Sequence, residues 1–327
     1  MPQIRPFARH DRDQLLSLAN HHIACVLPGG SIPASTLLAH MEHDVHEYVI
    51  DPWVTERRTI IGTSADRLVA AAHLKRYGNQ TPPVSTSFAD AGVIDWLICW
   101  PNQMDTGQML LRAALDQFRQ WQTRIWYADG SLPCLGVYGI SDAWPHIQAL
   151  VTDAGFDDRE GRVEVIFAGE LSAVEAPGPA PCSDLTVRRV LGNLGTSFQA
   201  ILGDEVVGVF EVEDDYTRGG SVMALDGWAD EDNHWVREDL RGRGIGSWLF
   251  RHGCSWLRLG GSRRILTYAI EDEELSALAR YYGRHGLVPI NRTRRGWRRL
   301  PAVGAEVALG ITPWSSQAGR SAPRFAP

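Results

Sequence analysis

The stretch His234–Phe250, HWVREDLRGRGIGSWLF, sets Gly242, Gly244 and Gly246 between a short apolar, strand-like opening and an amphipathic run. Its order predicts a strand, a tight loop and then a helix. Such a loop leaves backbone N–H groups free at the positive end of a helix, a position that suits phosphate oxygens. Glycine is required there because a Cβ would hold a ligand away and forbid some of the backbone angles. Two nucleotide loops fail on spacing. The dinucleotide pattern GxGxxG fits Gly242 and Gly244 but puts Ser247 at its third glycine, and no Lys-Ser/Thr pair completes a P-loop. A methyl-donor loop would leave Arg241 and Arg243 with no anion to meet. The arginines favour a pyrophosphate.

Working outward, the 327 residues exceed the usual size of one core and predict two domains. With 44% apolar and 22% charged residues the chain has the composition of a soluble globular protein. It contains no apolar run long enough for a membrane span, and its charged start, MPQIRPFARHDRDQ, lacks the apolar core of a secretory signal. A cytoplasmic protein without membrane partners is expected. The net charge of -7 gives no basic footprint for nucleic acid and mildly favours cationic ligands. Five scattered cysteines without CxxC spacing argue against disulfides or a zinc site and read as buried thiols; no metal is expected. The assembly is expected to be a monomer or homodimer.

The segment around Pro177, Pro179 and Pro181 reads as an extended linker, 171–183. It separates a first domain, 1–170, from a second, 184–314, with a loosely held tail, 315–327. The two halves look like diverged copies. RTIIGTSADRLVAAAHL and SFQAILGDEVVGVFEV each read as two strands about a turn, at Asp66 and at Gly203-Asp204. Next come a strand (GVIDWLICW or NHWV) and an amphipathic helix, opened by Gly107 or Gly246. In the second helix Ile245, Leu249, Trp256 and Leu259 are expected on one face. A strand follows (PCLGVYGI or RRILTYAI), then a short helix closed by Gly155 or Gly286, and last a strand, RVEVIFAGEL or EVALGITPW. HHIACVLPGGSIP, with Gly29 and Gly30, reads as a mobile loop over a substrate. The arginines 292, 294, 295, 298 and 299 around Trp297 read as an exposed hairpin.

VREDLRGRGIGSWL resembles the acyl-CoA loop of the GNAT N-acetyltransferase superfamily, whose pattern Gln/Arg-x-x-Gly-x-Gly/Ala is met by Arg241, Gly244 and Gly246. Further on, ARYYGRHGL resembles the family's tyrosine segment and places Tyr282 at the matching position. The family's Asn and Ala before that tyrosine fall on Leu275 and Leu278, a departure. The resemblance spans roughly residues 184–312. In the first half Gln103 is followed by Thr106 and Gln108 where glycines are required. The resemblance therefore implies an α/β (α+β) protein of two tandem GNAT-like domains, each a mixed, mostly antiparallel sheet flanked by helices. The first would be a degenerate copy that shapes a substrate pocket, and the second would bind acetyl-CoA.

The implied reaction moves an acetyl group from acetyl-CoA to a primary amine of a small molecule. The implied cofactor contacts are Val236, whose N–H would meet the acetyl oxygen, and Arg241, Gly242, Arg243, Gly244, Ile245, Gly246 and Ser247. Tyr282 is the expected acid for the thiolate, with Tyr281 as its rival. Alternation places Asp230, Asp232 and His234 on one strand face as candidate bases, with Glu211 and Glu213 adding to an acidic surface for a cationic amine. Two other readings stay open: a protein or peptide N-acetyltransferase, and a non-catalytic acyl-CoA or amine-binding module.

Overall fold

The computed structural model describes residues 2–42, 53–79, 87–158, 161–193, 195–213 and 227–300. Two compact units emerge. Among the described residues the first comprises 2–164 with 291–300, and the second 165–290. They depart from the contiguous split at 170–184 and 314 because strand pairing, which reaches across the chain, decides the units. The tail and EVALGITPW lie outside the described residues.

The first unit runs β1 (Gln3–Pro6), α1 (Arg12–Val26), α2 (Ala34–Glu42), β2 (Val54–Ser64), β3 (Arg67–Tyr77), β4 (Ala91–Cys99), α3 (Met104–Gln120), β5 (Ile125–Ala128), β6 (Ile140–Ser141) and α4 (Pro145–Asp153). Its sheet order is β1-β2-β3-β4-β5-β14, where β14 (Trp297–Arg299) pairs antiparallel with β5. Only β4 and β5 run parallel in this sheet. The turn between β2 and β3 takes left-handed angles at Ala65 and Asp66, φ 48° and 63°. PCLGVYGI is mostly turns: the strand beside β4 is the preceding Ile125–Ala128.

The expected loop at HHIACVLPGGSIP is half helix, since α1 continues to Val26. Its second half is pinned by Asn20, whose amide group exchanges two hydrogen bonds with the Ile32 backbone at 2.8 and 3.0 Å. The arginine run is also tied down. Arg292 and Arg294 reach Asp142, Arg294 reaches Asp158, and Arg299 lies 5.3 Å over the Trp126 ring. These pairings fix β14 and the end of the neighbouring β13 (Val288–Arg294) in the first unit.

His22, on the buried face of α1, gives a test of this core. Its Nδ1 lies 2.9 Å from the Leu18 carbonyl, and burial pushes its pKa down to about 4. The unfolded chain takes up this proton near 6.5 and the folded unit only near 4, so acid favours unfolding. Stability present above pH 6.5 is lost as the pH falls toward 4. Urea unfolding at pH 7 and pH 5 should differ by about 2 kcal/mol through this residue, and His22→Gln should remove most of that difference. An undiminished pH slope in the variant would assign the effect elsewhere.

The second unit takes β7 (Val163–Glu170) from the far side of the expected linker and follows it with β8 (Leu185–Leu191), β9 (Thr196–Leu202), β10 (Glu205–Glu213), β11 (Trp228–Val236), α5 (Ile245–Leu259), β12 (Arg264–Ile270), α6 (Leu275–Arg284) and β13. The sheet order is β13-β7-β12-β11-β10-β9-β8, with β11 and β12 parallel. Each sheet is mixed, mostly antiparallel and flanked by helices, as the resemblance implied. The expected linker is built into this unit. Leu171 and Val174 belong to its core, and the Trp248 indole N–H donates to the Gly178 carbonyl at 3.1 Å.

α5 packs on the sheet through Ile245, Leu249, Phe250, Gly253, Cys254 and Leu257. Leu259, expected on that face, is 89% exposed. Gly253 is where helix and sheet approach most closely, since a Cβ there would lie 2.2 Å from the Phe210 ring on β10. No helix among the described residues is long and apolar enough to cross a membrane.

Candidate active site

The loop 241–246 makes its turns with left-handed glycines. Gly242 has φ 77°, and Gly244, the residue capping α5, has φ 85°. An L side chain resists both angles. A Cβ on Gly242 would meet nothing within 4 Å, and one on Gly244 only Pro181 at 3.6 Å, so open space lies above the loop. The first helical bond of α5 runs from the Trp248 N–H to the Gly244 carbonyl at 3.0 Å. The amides of Ile245, Gly246 and Ser247 precede it and have no acceptor within the helix. Arg241 and Arg243 are exposed beside them, with Arg241 Nε donating to the Val236 carbonyl at 3.1 Å. Backbone donors, a helix N-terminus and two guanidinium groups thus surround an open cradle suited to a polyanion.

At three expected contacts the side chain is absent or engaged within the protein. The Ile245 side chain is buried in the core, and the Ser247 hydroxyl lies 3.1 Å from His285 Nε2. A Cβ on Gly246 would stand 3.3 Å from His234 Nε2, a tight approach to the imidazole.

The corresponding place in the first unit is built differently. No residue between Trp100 and Gln108 has a positive φ, and the cap of α3, Gln103, sits at φ -121°. Thr106 is buried where it would meet any Cβ at Gly62, at 2.7 Å, and a Cβ on Gly107 would run into Leu150 at 2.8 Å. A cavity lined by Trp100, Asn102 and Gln103 also opens at the head of α3, but no left-handed glycine turns the chain there.

Between the parallel strands of the second unit a fork opens. Pairing of β11 with β12 ends at Asp230 opposite Leu266. The Arg237 N–H bonds to the Val207 carbonyl on β10 at 2.8 Å. Because amides alternate along a strand, the Val236 N–H points to the opposite edge, into the fork. An extended ligand with amides of its own could pair with these edges, and an oxyanion could meet that N–H.

The catalytic candidates are not on one face. β10 and β11 lose register between Glu211 and Val212, and Asp232 is the extra residue of the resulting bulge. The bulge reverses the alternation expected from sequence. Glu231, which alternation placed on the opposite face, shares a face with His234, and its Oε1 lies 3.2 Å from His234 Nδ1. The Tyr282 hydroxyl donates to the same Oε1 at 2.9 Å and lies 3.3 Å from Thr267 Oγ1 on β12. Glu231 and Thr267 are the first residues beyond the last paired positions, so Tyr282 closes the apex of the fork. Asp230 instead receives a 2.6 Å hydrogen bond from the Tyr268 hydroxyl. By register it lies with Glu211 on the other face, away from Tyr282.

Burial raises the Tyr282 pKa far above the usual phenol range, reinforced by the Glu231 charge. Tyr281 shifts the same way for the same two reasons. Both hydroxyls therefore stay protonated at neutral pH. Burial lowers His285 to about 4, with Arg251 and Arg284 adding to the effect, so its ring is neutral. Sequence reasoning missed Glu231 and Thr267; the acidic run DED signalled a carboxylate, but the bulge alone decides which one turns inward.

Residues 170–287 match the pattern of the Acetyltransferase (GNAT) family. No curated protein sequence matches the chain. Among solved structures, a tandem GNAT protein from the clavulanic acid biosynthesis pathway is similar over 93% of this chain and 100% of its own, with TM-score 0.63 and 15% identity. A GCN5-related glucosamine N-acetyltransferase region of a fungal multi-domain GH3 β-N-acetylglucosaminidase covers 91% of this chain and 38% of its own, with TM-score 0.60 and 14% identity. A GCN5-related N-acetyltransferase from Sphaerobacter thermophilus covers 94% and 98%, with TM-score 0.58 and 15% identity. At such identities these likenesses establish the tandem fold.

Proposed function

We propose that the chain, whose residues 170–287 match the Acetyltransferase (GNAT) family and whose fold is that of tandem GNAT proteins, transfers an acetyl group from acetyl-CoA to a primary amine of a small molecule in the cytoplasm. One observation carries this reading: the cradle at Gly242 and Gly244, open where a Cβ would stand, at the head of α5 and beside a forked strand pair. Acetyl-CoA would supply an activated acyl carbon and a thiolate leaving group. The amides of Ile245, Gly246 and Ser247, with Gly242, Gly244, Arg241 and Arg243, would hold its pyrophosphate, and the Val236 N–H would meet the acetyl oxygen.

Tyr282 stays protonated and is the donor for the departing thiolate. Glu231 accepts the Tyr282 hydrogen bond and lies 3.2 Å from His234 Nδ1, so it joins the proposed proton donor to the imidazole. Asp232, at the bulge beside this group, is the carboxylate placed to draw a cationic amine, while Asp230 and Glu211 are buried on the other face. Binding energy spent on orienting amine and thioester lowers the barrier without a covalent enzyme intermediate.

Thiol release from acetyl-CoA, measured against a panel of amines, aminoglycosides, amino acids and peptides, tests this proposal. Release that depends on a small amine is the expected result. Release only with peptides would favour a protein acetyltransferase, and acetyl-CoA binding with no acceptor-dependent release would leave a binding module.

A further inference from the structure

The first unit contains a buried group of metal-ligating side chains that the acetyl-transfer reading does not use. His40 on α2, His73 on β3 and Asp95 on β4 each offer one ligand atom, all within 4.8 Å of one another. His73 and Asp95 are buried at 0% and 5% exposure, and His40 is half-buried beside them. Their position in the fold is specific. β3 and β4 lose register between His73 and Leu74, which makes Asp95 the extra residue of a bulge, as Asp232 is in β11. By the same register His73 corresponds to Glu211. Imidazoles and a carboxylate therefore gather at the bulge that, in the second unit, borders the proposed reaction centre.

The hydrogen bonds around this group leave one nitrogen unexplained. His73 Nδ1 lies 2.8 Å from the Thr59 hydroxyl, while its Nε2 is buried with no hydrogen-bond partner. A buried ring nitrogen left unsatisfied is destabilising, and a metal ion bound there would offset that cost. Asp95 Oδ2 lies 2.6 Å from His40 Nε2, and Oδ1 lies 2.9 Å from Lys75 Nζ. Two imidazoles and one carboxylate are a donor set for zinc and its neighbours. A hydroxyl on the outer nitrogen of a ligating histidine is the contact that fixes ring orientation and tautomer in such sites. Two imidazole donors to one carboxylate favour ions that bind nitrogen over calcium and magnesium, and the Lys75 ammonium on Asp95 Oδ1 leaves Oδ2 as the oxygen offered to the ion.

The structure assigns to His40, His73 and Asp95 a binding site for one divalent transition-metal ion of the zinc class, with Thr59 orienting His73. Its test uses the full-length protein freed of metal by a chelator, with Co2+ as the spectroscopic probe and Zn2+ as competitor. One Co2+ per chain is expected, showing visible d–d absorption without a sulfur charge-transfer band and displaced by Zn2+. That band separates the site from the five free cysteines. His73→Gln and Asp95→Asn should each abolish stoichiometric uptake, and Thr59→Val should weaken it by roughly tenfold to a hundredfold. X-ray absorption on the zinc-loaded wild type needs no variant to fold and should show two imidazoles and no sulfur. No stoichiometric uptake, a sulfur-containing shell, or uptake unchanged in folded His73→Gln protein would each overturn the assignment.

Discussion

Replacing Gly244 with phenylalanine is expected to weaken acetyl-CoA binding at least a hundredfold, about 2.7 kcal/mol, as read by titration calorimetry. A phenyl ring would occupy the open space above the amides of Ile245–Ser247 and exclude the pyrophosphate; separately, the residue sits at φ 85°, where an L side chain is strained by roughly 1–2 kcal/mol, a cost to folding. Only Pro181 lies near its Cβ, at 3.6 Å, so the variant should fold, with its unfolding midpoint lowered by the backbone strain alone. Tight binding by a folded Gly244→Phe protein would remove the loop from cofactor recognition.

Glu231→Gln should lower turnover by roughly a hundredfold while leaving acetyl-CoA affinity within about threefold, the pattern of a group that acts in proton transfer and not in holding the cofactor. Glutamine preserves the shape and still accepts a hydrogen bond from Tyr282, but it removes the carboxylate that links Tyr282 to His234. Tyr282→Phe should cost turnover to a similar degree. Because the two act through one hydrogen bond, the double variant should lose little more than either single one. Additive losses would place them in separate steps, and unchanged turnover in either single variant would take that residue out of the mechanism.

These two predictions draw on different amounts of sequence information. The cradle was legible because its requirements are local: left-handed angles demand glycine at positions 242 and 244, and the helix that follows shows its own period. Tyr282 was legible for the same reason, as part of a short segment on one helix. Glu231 was not, since a strand's facing is set by strict alternation until a bulge interrupts it, and the extra residue at Asp232 depends on register with β10. Gly246 was assigned to the ligand, and its closeness to His234, 3.3 Å from where a Cβ would stand, appears only in the packed structure. Which sheet β7 and β14 join was equally hidden, because Val163–Glu170 and Trp297–Arg299 read as ordinary strands in either. In the first unit Thr106 and Gln108 announced the loss of the loop, whereas His40, His73 and Asp95 meet only once α2, β3 and β4 are assembled.

The claim that unites these results is that two related halves retain a single cofactor cradle, in the second unit. Calorimetric titration of the full-length protein with acetyl-CoA measures it directly. One binding site per chain, lost in Gly244→Phe, is the predicted result; two sites, or one site that survives that substitution, would contradict it.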